Sequence, residues 1–249
     1  MSIEKLLESP SGILIKTTLV DFPSRVASTF FLRGCNIRCP YCYNIDLIYS
    51  PEEKDSSSTD FVSANVVLKH LEKRKGLITG FVLSGGEPLI NPLTPILIQK
   101  AKELGYKIKL DTNGTNPKIL SSFLSDQTLK PDFVAMDIKT SPSRYGKDIP
   151  VCKVDGNVQE NLLDSINLLK SLPSESREFR TVLVPPLISK EDISTIAALL
   201  PEDASWQFAQ FRNENCLDKS YNDIYPYTDK QAQELVNYAK TLRNGAALR

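Results

Sequence analysis

Six short stretches rich in β-branched and aromatic residues recur along the chain, separated by segments whose apolar residues fall at helical spacing. This alternation constrains the fold more than any other feature. The strand candidates are ASTFFLR (27–33), FVLS (81–84), YKIKLD (106–111), DFVAMDI (132–138), EFRTVLV (178–184) and SWQFAQF (205–211). Strands that alternate with helices through short turns pair in parallel through right-handed crossovers. The expected class is therefore α/β with a six-stranded parallel sheet, either doubly wound or an incomplete barrel. At 249 residues the chain suits one such unit: a single domain over 1–249, with a core at about 20–215 and a C-terminal helix at about 228–243.

Caps and apolar faces place the helices. Thr94-Pro95 reads as an N-cap with proline at the first helical position, Ile96, Leu97, Ala101 and Leu104 share a face, and Gly105 stops the helix. Ser189 with Asp192, and Thr228 with Gln231, read as capping boxes. The faces behind them are Ile193, Ile196, Ala197 and Leu200, then Ala232, Leu235, Val236 and Ala239. Leu162, Leu163, Ile166 and Leu169 form another face, and His70 sits in a helix read over 61–75 as an ordinary surface or half-buried residue. GILIKTTLVDFP (12–23) precedes the pattern, SPEEKDSSSTD (50–60) reads as a solvated loop, and the terminal GAALR as frayed.

Composition removes several function classes. Thirty Lys and Arg cancel thirty Asp and Glu, which argues mildly against a nucleic-acid partner. No apolar run approaches the roughly 18–20 residues of a membrane span, and MSIEKLLESP lacks the layout of a signal peptide, so a cytoplasmic protein without a membrane partner is expected. A single histidine excludes a zinc site built from several, and would have to serve any Ser-His-Asp or Cys-His catalyst. Five cysteines is an odd number, and three of them fall within eight residues, which reads as metal ligation rather than disulfide stapling.

In parallel α/β folds ligands gather at the carboxyl ends of the strands. Here those ends carry Gly34-Cys35, Gly85-Gly86-Glu87-Pro88, Asp111-Thr112-Asn113-Gly114, Asp137-Ile138-Lys139 and Arg212-Asn213-Glu214. Cys35, Cys39 and Cys42 follow a C-x3-C-x2-C spacing on a loop leaving the first strand. A structural zinc site wants a fourth Cys or His close by; only the isolated Cys152 and Cys216 could serve. Three thiolates on a four-iron cluster leave one iron open to a ligand, and this reading is preferred. Taken alone, GGEP is a turn with a solvated glutamate, DTNG a strand-end turn, and Asp137-Lys139 a surface ion pair.

Together these motifs resemble the radical S-adenosylmethionine superfamily. The resemblance implies that Cys35, Cys39 and Cys42 hold a 4Fe-4S cluster whose open iron binds S-adenosylmethionine, and that Tyr41 packs near the adenine. Electron transfer then yields methionine and a 5'-deoxyadenosyl radical. Gly85-Gly86-Glu87-Pro88 is similar to the family's GGEP element, with Glu87 toward the methionyl amine. LDTNG (110–114) and MDIK (136–139) are similar to elements of the glycyl radical enzyme activating enzymes. That likeness implies that Asp111, with Asn113 in the same element, lies near the amine, Asp137 near the ribose and Lys139 near the carboxylate.

Within that group, KTTLVDFPSRVASTFFLRGCNIRCPYCYN, EFRTVLVP and QFAQFRNENCLD look most like the anaerobic ribonucleoside-triphosphate reductase activating proteins, over about residues 12–240. The implied fold is an incomplete, TIM-like (β/α)6 barrel. The implied partners are a glycyl radical enzyme as substrate and flavodoxin or ferredoxin as reductant. The chain departs from the pattern at Tyr43, where the family commonly has His, and at Ser24, where a glycine usually follows the proline. Radical chemistry on a peptide, small molecule or modified nucleoside is the alternative, and a non-enzymatic zinc or iron-sulfur interaction protein a second. Cys152 and Cys216 read as inert thiols, Trp206 as core, and Arg212 as a residue that could reach a cofactor.

Overall fold

The computed structural model describes residues 2–50 and 60–249. Residues 51–59, most of the stretch read as a solvated loop, lie outside the described residues. The strands are β1 (Pro10–Thr18), β2 (Ala27–Leu32), β3 (Val62–Ser63), β4 (Gly80–Gly85), β5 (Lys107–Thr112), β6 (Phe133–Asp137), β7 (Arg177–Leu183), β8 (Trp206–Gln210) and β9 (Ala246–Leu248). The helices are α1 (Ile3–Glu8), α2 (Ala64–Arg74), α3 (Leu93–Glu103), α4 (Pro117–Ser125), α5 (Val158–Lys170), α6 (Lys190–Leu199) and α7 (Asp229–Leu242).

The hydrogen-bonded order is β3-β1-β2-β4-β5-β6-β7-β8-β9, open at both ends, as in an incomplete α/β barrel. The six predicted strands are β2, β4, β5, β6, β7 and β8, each bounded within one residue of its expected limits. Parallel registers run Ala27↔Gly80 to Leu32↔Gly85, Gly80↔Lys107 to Leu83↔Leu110, and Phe179↔Trp206 to Leu183↔Gln210.

The expected six-stranded sheet is nonetheless too small. β1 adds an antiparallel edge on β2, with a bulge between Ile15 and Thr18, and β3 pairs outside it. At the other end the segment expected to fray is β9, parallel to β8 through Trp206↔Ala246. Gly245 lets this segment approach, because a Cβ there would lie 2.3 Å from the Ala204 carbonyl oxygen.

The chain divides into two compact units. The first comprises Met1–Asn36, Asp46–Thr112 and Lys118–Val134. Its core is apolar and close-packed: Phe30, Leu32, Phe81, Val82, Leu83, Leu97, Ile98, Ile108 and Leu110 are fully buried, as expected for parallel strands covered on both faces. α3 begins one residue before the expected cap. Asn91 Oδ1 accepts from Leu93 N at 3.0 Å, while Thr94, inside the helix, donates its hydroxyl to Pro88 O. Gly105, at φ +91°, ends the helix as expected. His70 lies on α2, with Nε2 3.0 Å from Ser28 Oγ and 3.2 Å from Lys16 O.

The turn Phe22–Arg25, closed by Arg25 N donating to Phe22 O, has Pro23 at its second position and Ser24 at its third with φ +59°. That is type II geometry, which favours glycine at the third position. Relief of left-handed strain exceeds the added chain entropy of glycine, so Ser24→Gly is expected to stabilise by about 0.5–1 kcal/mol. Thermal melts read the change as a rise of about 1–4 °C; an unchanged or lower midpoint would refute the strain.

The second unit comprises Ile37–Ile45, Asn113–Pro117 and Ala135–Arg249. Trp206 is fully buried core, its indole N–H donating to Thr181 Oγ1 at 3.0 Å. Both expected capping boxes form, at Ser189/Asp192 on α6 and Thr228/Gln231 on α7.

Asp192 also accepts from Ser141 Oγ at 2.6 Å and pairs with Arg144 Nη1 at 3.0 Å. Burial pushes its pKa up, but the bonds from Ser141, Ser189 and Arg144 outweigh burial and hold it below the usual carboxylate value. A depressed folded-state pKa adds stability that is complete above the unfolded-state value and lost as pH falls through the folded one. Asp192→Asn is expected to cost about 1–3 kcal/mol at neutral pH. The difference from wild type should shrink as pH falls below about 4, where the unfolded chain's carboxylate begins to take up protons, and go on shrinking toward the lower folded-state value. Denaturant melts from pH 3 to 7 measure it, and a pH-independent difference would contradict the assignment.

Candidate cofactor site

In the first unit the strand-end loops are built onto one another. Gly34, at φ +96°, donates its N–H to Leu47 O at 2.8 Å, and Cys35 N donates to Ile48 O at 3.0 Å. Gly86 packs against this segment so closely that a Cβ would lie 2.1 Å from Gly34 O, an oxygen that also accepts from Glu87 N at 2.8 Å. The glycine of the GGEP turn thus serves backbone-to-backbone approach beside the first cysteine, and Cys35 itself is buried.

The carboxylates here are oriented by chain partners. Glu87, fully buried, accepts from Leu89 N at 3.1 Å and from Thr112 Oγ1 at 2.8 Å. Asp111 accepts from Ser84 Oγ at 2.9 Å and from the buried ammonium of Lys109 at 2.5 Å. These bonds fix the orientation of both carboxylates.

In the second unit the segment carrying the other two cysteines is a tied turn. Cys42 N donates to Cys39 O at 3.0 Å, closing the turn over Pro40 and Tyr41. Leu217 N donates to Cys42 O and Asp218 N to Pro40 O, both at 2.9 Å. Upstream, Ile37 bridges Val151 and Arg38 N donates to Pro150 O at 2.8 Å. Cys39 is buried and Cys42 half-buried, with no disulfide at either. Burial pushes the Cys42 thiol's pKa up.

Tyr41 is buried and stands edge-on to Phe211 with ring centroids 6.3 Å apart. Its hydroxyl has no hydrogen-bond partner among the described residues. Burial raises its pKa well above the ordinary value, against the opposing pull of the Lys139 charge.

Lys139 Nζ lies 3.3 Å from Asp137 Oδ2, and Arg180 Nε donates to Asp137 Oδ1 at 2.7 Å. Burial opposes both charges, yet each is held in place by the other. Asp137 stays well below the usual carboxylate range beside Arg180 and Lys139, and Lys139 well above its usual value beside Asp137. Lys139 N donates to Tyr145 Oη at 2.8 Å, and burial raises the Tyr145 pKa. Asn113 Oδ1 accepts from Thr115 N and Oγ1 at 3.0 and 2.7 Å, forming a turn. Gly114 follows at φ +76°, where a Cβ would strike Met136 Cε.

The expected site residues are therefore gathered in two groups. Cys35, Gly85, Gly86, Glu87 and Asp111 belong to the first unit, and Cys39, Tyr41, Cys42, Asn113, Asp137 and Lys139 to the second. Among the described residues no three His, Cys, Asp or Glu side chains gather around one position that a metal ion could occupy. Arg212 and Cys152 are exposed. Lys109, Tyr145 and Arg180 are participants that the sequence reading missed, and Glu178 lies 4.0 Å from Arg180 Nη1. The available signal was a charge at i, i+2 spacing inside an apolar strand, as in Lys109-Asp111 and Glu178-Arg180. Among the described residues no helix is long and apolar enough to cross a membrane.

Residues 29–200 match the family model described as the Radical SAM superfamily. A protein of Methanocaldococcus jannaschii provisionally named a glycyl-radical enzyme activating enzyme is 29% identical over 246 residues, 96% of this chain and 95% of its own. The pyruvate formate-lyase-activating enzyme of Clostridium pasteurianum is 29% identical over 184 residues, covering 73% of this chain and 72% of that one. Among solved structures, Streptococcus suis SuiB bound to S-adenosylmethionine superposes with a TM-score of 0.54 at 16% identity, over 86% of this chain and 47% of that one. With more than half of its length under the family model, the chain belongs to the radical SAM superfamily.

Proposed function

We propose that this radical SAM enzyme activates a glycyl radical enzyme, of the anaerobic ribonucleotide reductase type, with flavodoxin or ferredoxin as reductant. Family membership implies S-adenosylmethionine and an iron-sulfur cluster. The finer reading is a single 4Fe-4S cluster on Cys35, Cys39 and Cys42. A relative matched over nearly the whole length of both chains carries an activating-enzyme name, which supports the partner class.

Tyr41, Asp137 and Lys139 of the second unit suit a polar ligand group. The observation that carries the reading is the buried Tyr41 hydroxyl, without a partner among the described residues, in the electrostatic field of an ionised Lys139-Asp137 pair. An unsatisfied buried hydroxyl costs about 1–3 kcal/mol, which a polar ligand group there would relieve. A cluster held by Cys35, Cys39 and Cys42 would supply one electron for cleavage of the carbon-sulfur bond of S-adenosylmethionine, and with it the means to take a hydrogen atom from a glycine of the partner.

The chain's own residues bind and orient. Lys139, kept cationic by Asp137, offers a compact charge to the methionyl carboxylate. Asp137, kept ionised by Arg180 and Lys139, accepts from ribose hydroxyls. Arg180 positions Asp137, and the Tyr145 hydroxyl fixes the backbone of Lys139. Glu87 and Asp111, oriented by Thr112, Leu89, Ser84 and Lys109, are the carboxylates for the methionyl ammonium, beside Gly85 and Gly86 of the same unit, and Asn113 caps its own turn through Thr115.

Anaerobic reconstitution with iron and sulfide, then reduction in the presence of S-adenosylmethionine, tests the reading. A brown protein that releases 5'-deoxyadenosine is expected. About one equivalent of tightly held zinc, with no colour and no cleavage, would overturn it.

A further inference from the structure

Cys216 plays no part in the binding scheme above, yet it is fully buried beside the cluster-binding turn of its own unit. Two backbone bonds fix the approach: Leu217 N to Cys42 O and Asp218 N to Pro40 O, both 2.9 Å. With standard backbone dimensions, the first of these holds the Cα atoms of Cys42 and Cys216 within about 8 Å. A disulfide asks for about 4.4–6.8 Å, so a small adjustment of two loop segments suffices. Cys216 N is anchored by Asn222 Oδ1 at 2.9 Å, and its thiol donates weakly to Arg212 O at 3.8 Å. Cys42 is the partly accessible member of the pair and Cys216 the enclosed one, which is the arrangement of an attacked thiol and a resolving thiol.

We propose that Cys216 is a resolving cysteine that captures Cys42 as a disulfide when Cys42 is released from iron under oxidising conditions. The inference rests on the reading of Cys42 as a cluster ligand. Hydrogen peroxide is the oxidant: the Cys42 sulfur attacks one peroxide oxygen, the O–O bond breaks, and a sulfenic acid and one water form. The Cys216 sulfur then attacks the Cys42 sulfur, the S–O bond breaks, and a second water leaves. Two thiols lose one electron each and one peroxide is reduced to two waters. The product parks a ligand cysteine in a form that a dithiol restores, whereas further oxidation to sulfinic acid would destroy it.

The full-length chain, stripped of iron and fully reduced, is treated with one equivalent of hydrogen peroxide, alkylated without reduction, digested and mapped. The expected result is a Cys42–Cys216 cross-linked peptide, with three of the five cysteines still alkylatable. After dithiothreitol, wild type should take up iron as the untreated chain does. Cys216→Ser and Cys216→Ala should show no such peptide, accumulate Cys42 sulfinic acid at higher peroxide, and recover several-fold less iron. Cys152→Ala, at an exposed position, should behave as wild type. A dominant Cys39–Cys42 link, or no disulfide in a chain whose near-ultraviolet dichroism matches the untreated protein, would overturn the proposal. The iron-loaded chain should form no link until its iron leaves. A link formed at full iron content would instead refute Cys42 as a ligand, which separates failure of the ligand assignment from failure of the resolving role.

Discussion

Cys39→Ala is expected to abolish cluster binding while leaving the fold intact. Cys39 is buried in the tied turn, where it packs as a small hydrophobe. Trimming one sulfur from a buried site costs about 1 kcal/mol, or a melting midpoint lower by about 2–4 °C. The chemical loss is far larger: with two thiolates left, the iron bound after reconstitution should fall from about four per chain to background, and S-adenosylmethionine cleavage with it. Iron and sulfide analysis beside a thermal melt separates the two effects. Retained iron with retained cleavage would refute the ligand assignment. Cys152→Ala, changing an exposed thiol, serves as the control that keeps both.

Gly86→Ala is expected to injure the fold severely. A methyl group there would sit 2.1 Å from Gly34 O and 3.0 Å from Leu47 O, both backbone atoms that cannot swing aside. Relief requires moving the segment that carries Cys35 by an ångström or more. Overpacking against backbone of this kind costs about 3–5 kcal/mol, or about 6–20 °C in melting midpoint. Gly76→Ala is the informative comparison. Gly76 also has a left-handed φ, +81°, but nothing lies within 4 Å of its Cβ position, so only the conformational cost of about 1–2 kcal/mol applies. Equal melting shifts for the two variants would refute the steric account of the GGEP turn.

What the sequence disclosed follows from where each signal is written. The six parallel strands were legible because buried parallel strands are continuous apolar runs, and both capping boxes because a cap is a contact between residues three apart. β1 and β9 escaped for the opposite reason: their pairing with β2 and β8 is long-range, and AAL has little β-propensity of its own. The start of α3 was misplaced because Asn91, outside the Thr94-Pro95 pair, supplies the bond to the first turn.

At the site, spacing marked the cysteines, and the resemblance singled out Tyr41, Glu87, Asp111, Asp137 and Lys139. Of the neighbours that hold the carboxylates, Arg180 was hidden, because it comes from another strand and meets Asp137 only through the folded sheet, whereas Lys109 stands two residues before Asp111 on the same strand and was legible. Ser24 shows a departure from family pattern acquiring a physical meaning, since a serine occupies a left-handed position that the turn reserves for glycine.

The central claim is that this chain generates a radical on a glycine of a partner protein. The direct measurement mixes the anaerobically reconstituted, reduced chain with S-adenosylmethionine and an anaerobic ribonucleotide reductase of the same organism, and records the electron paramagnetic resonance spectrum of the partner. The account predicts a glycyl radical signal on the partner that requires this chain and S-adenosylmethionine, accompanied by 5'-deoxyadenosine. Release of 5'-deoxyadenosine with no glycyl signal on that partner would contradict it and turn the same chemistry toward a peptide, small-molecule or nucleoside substrate.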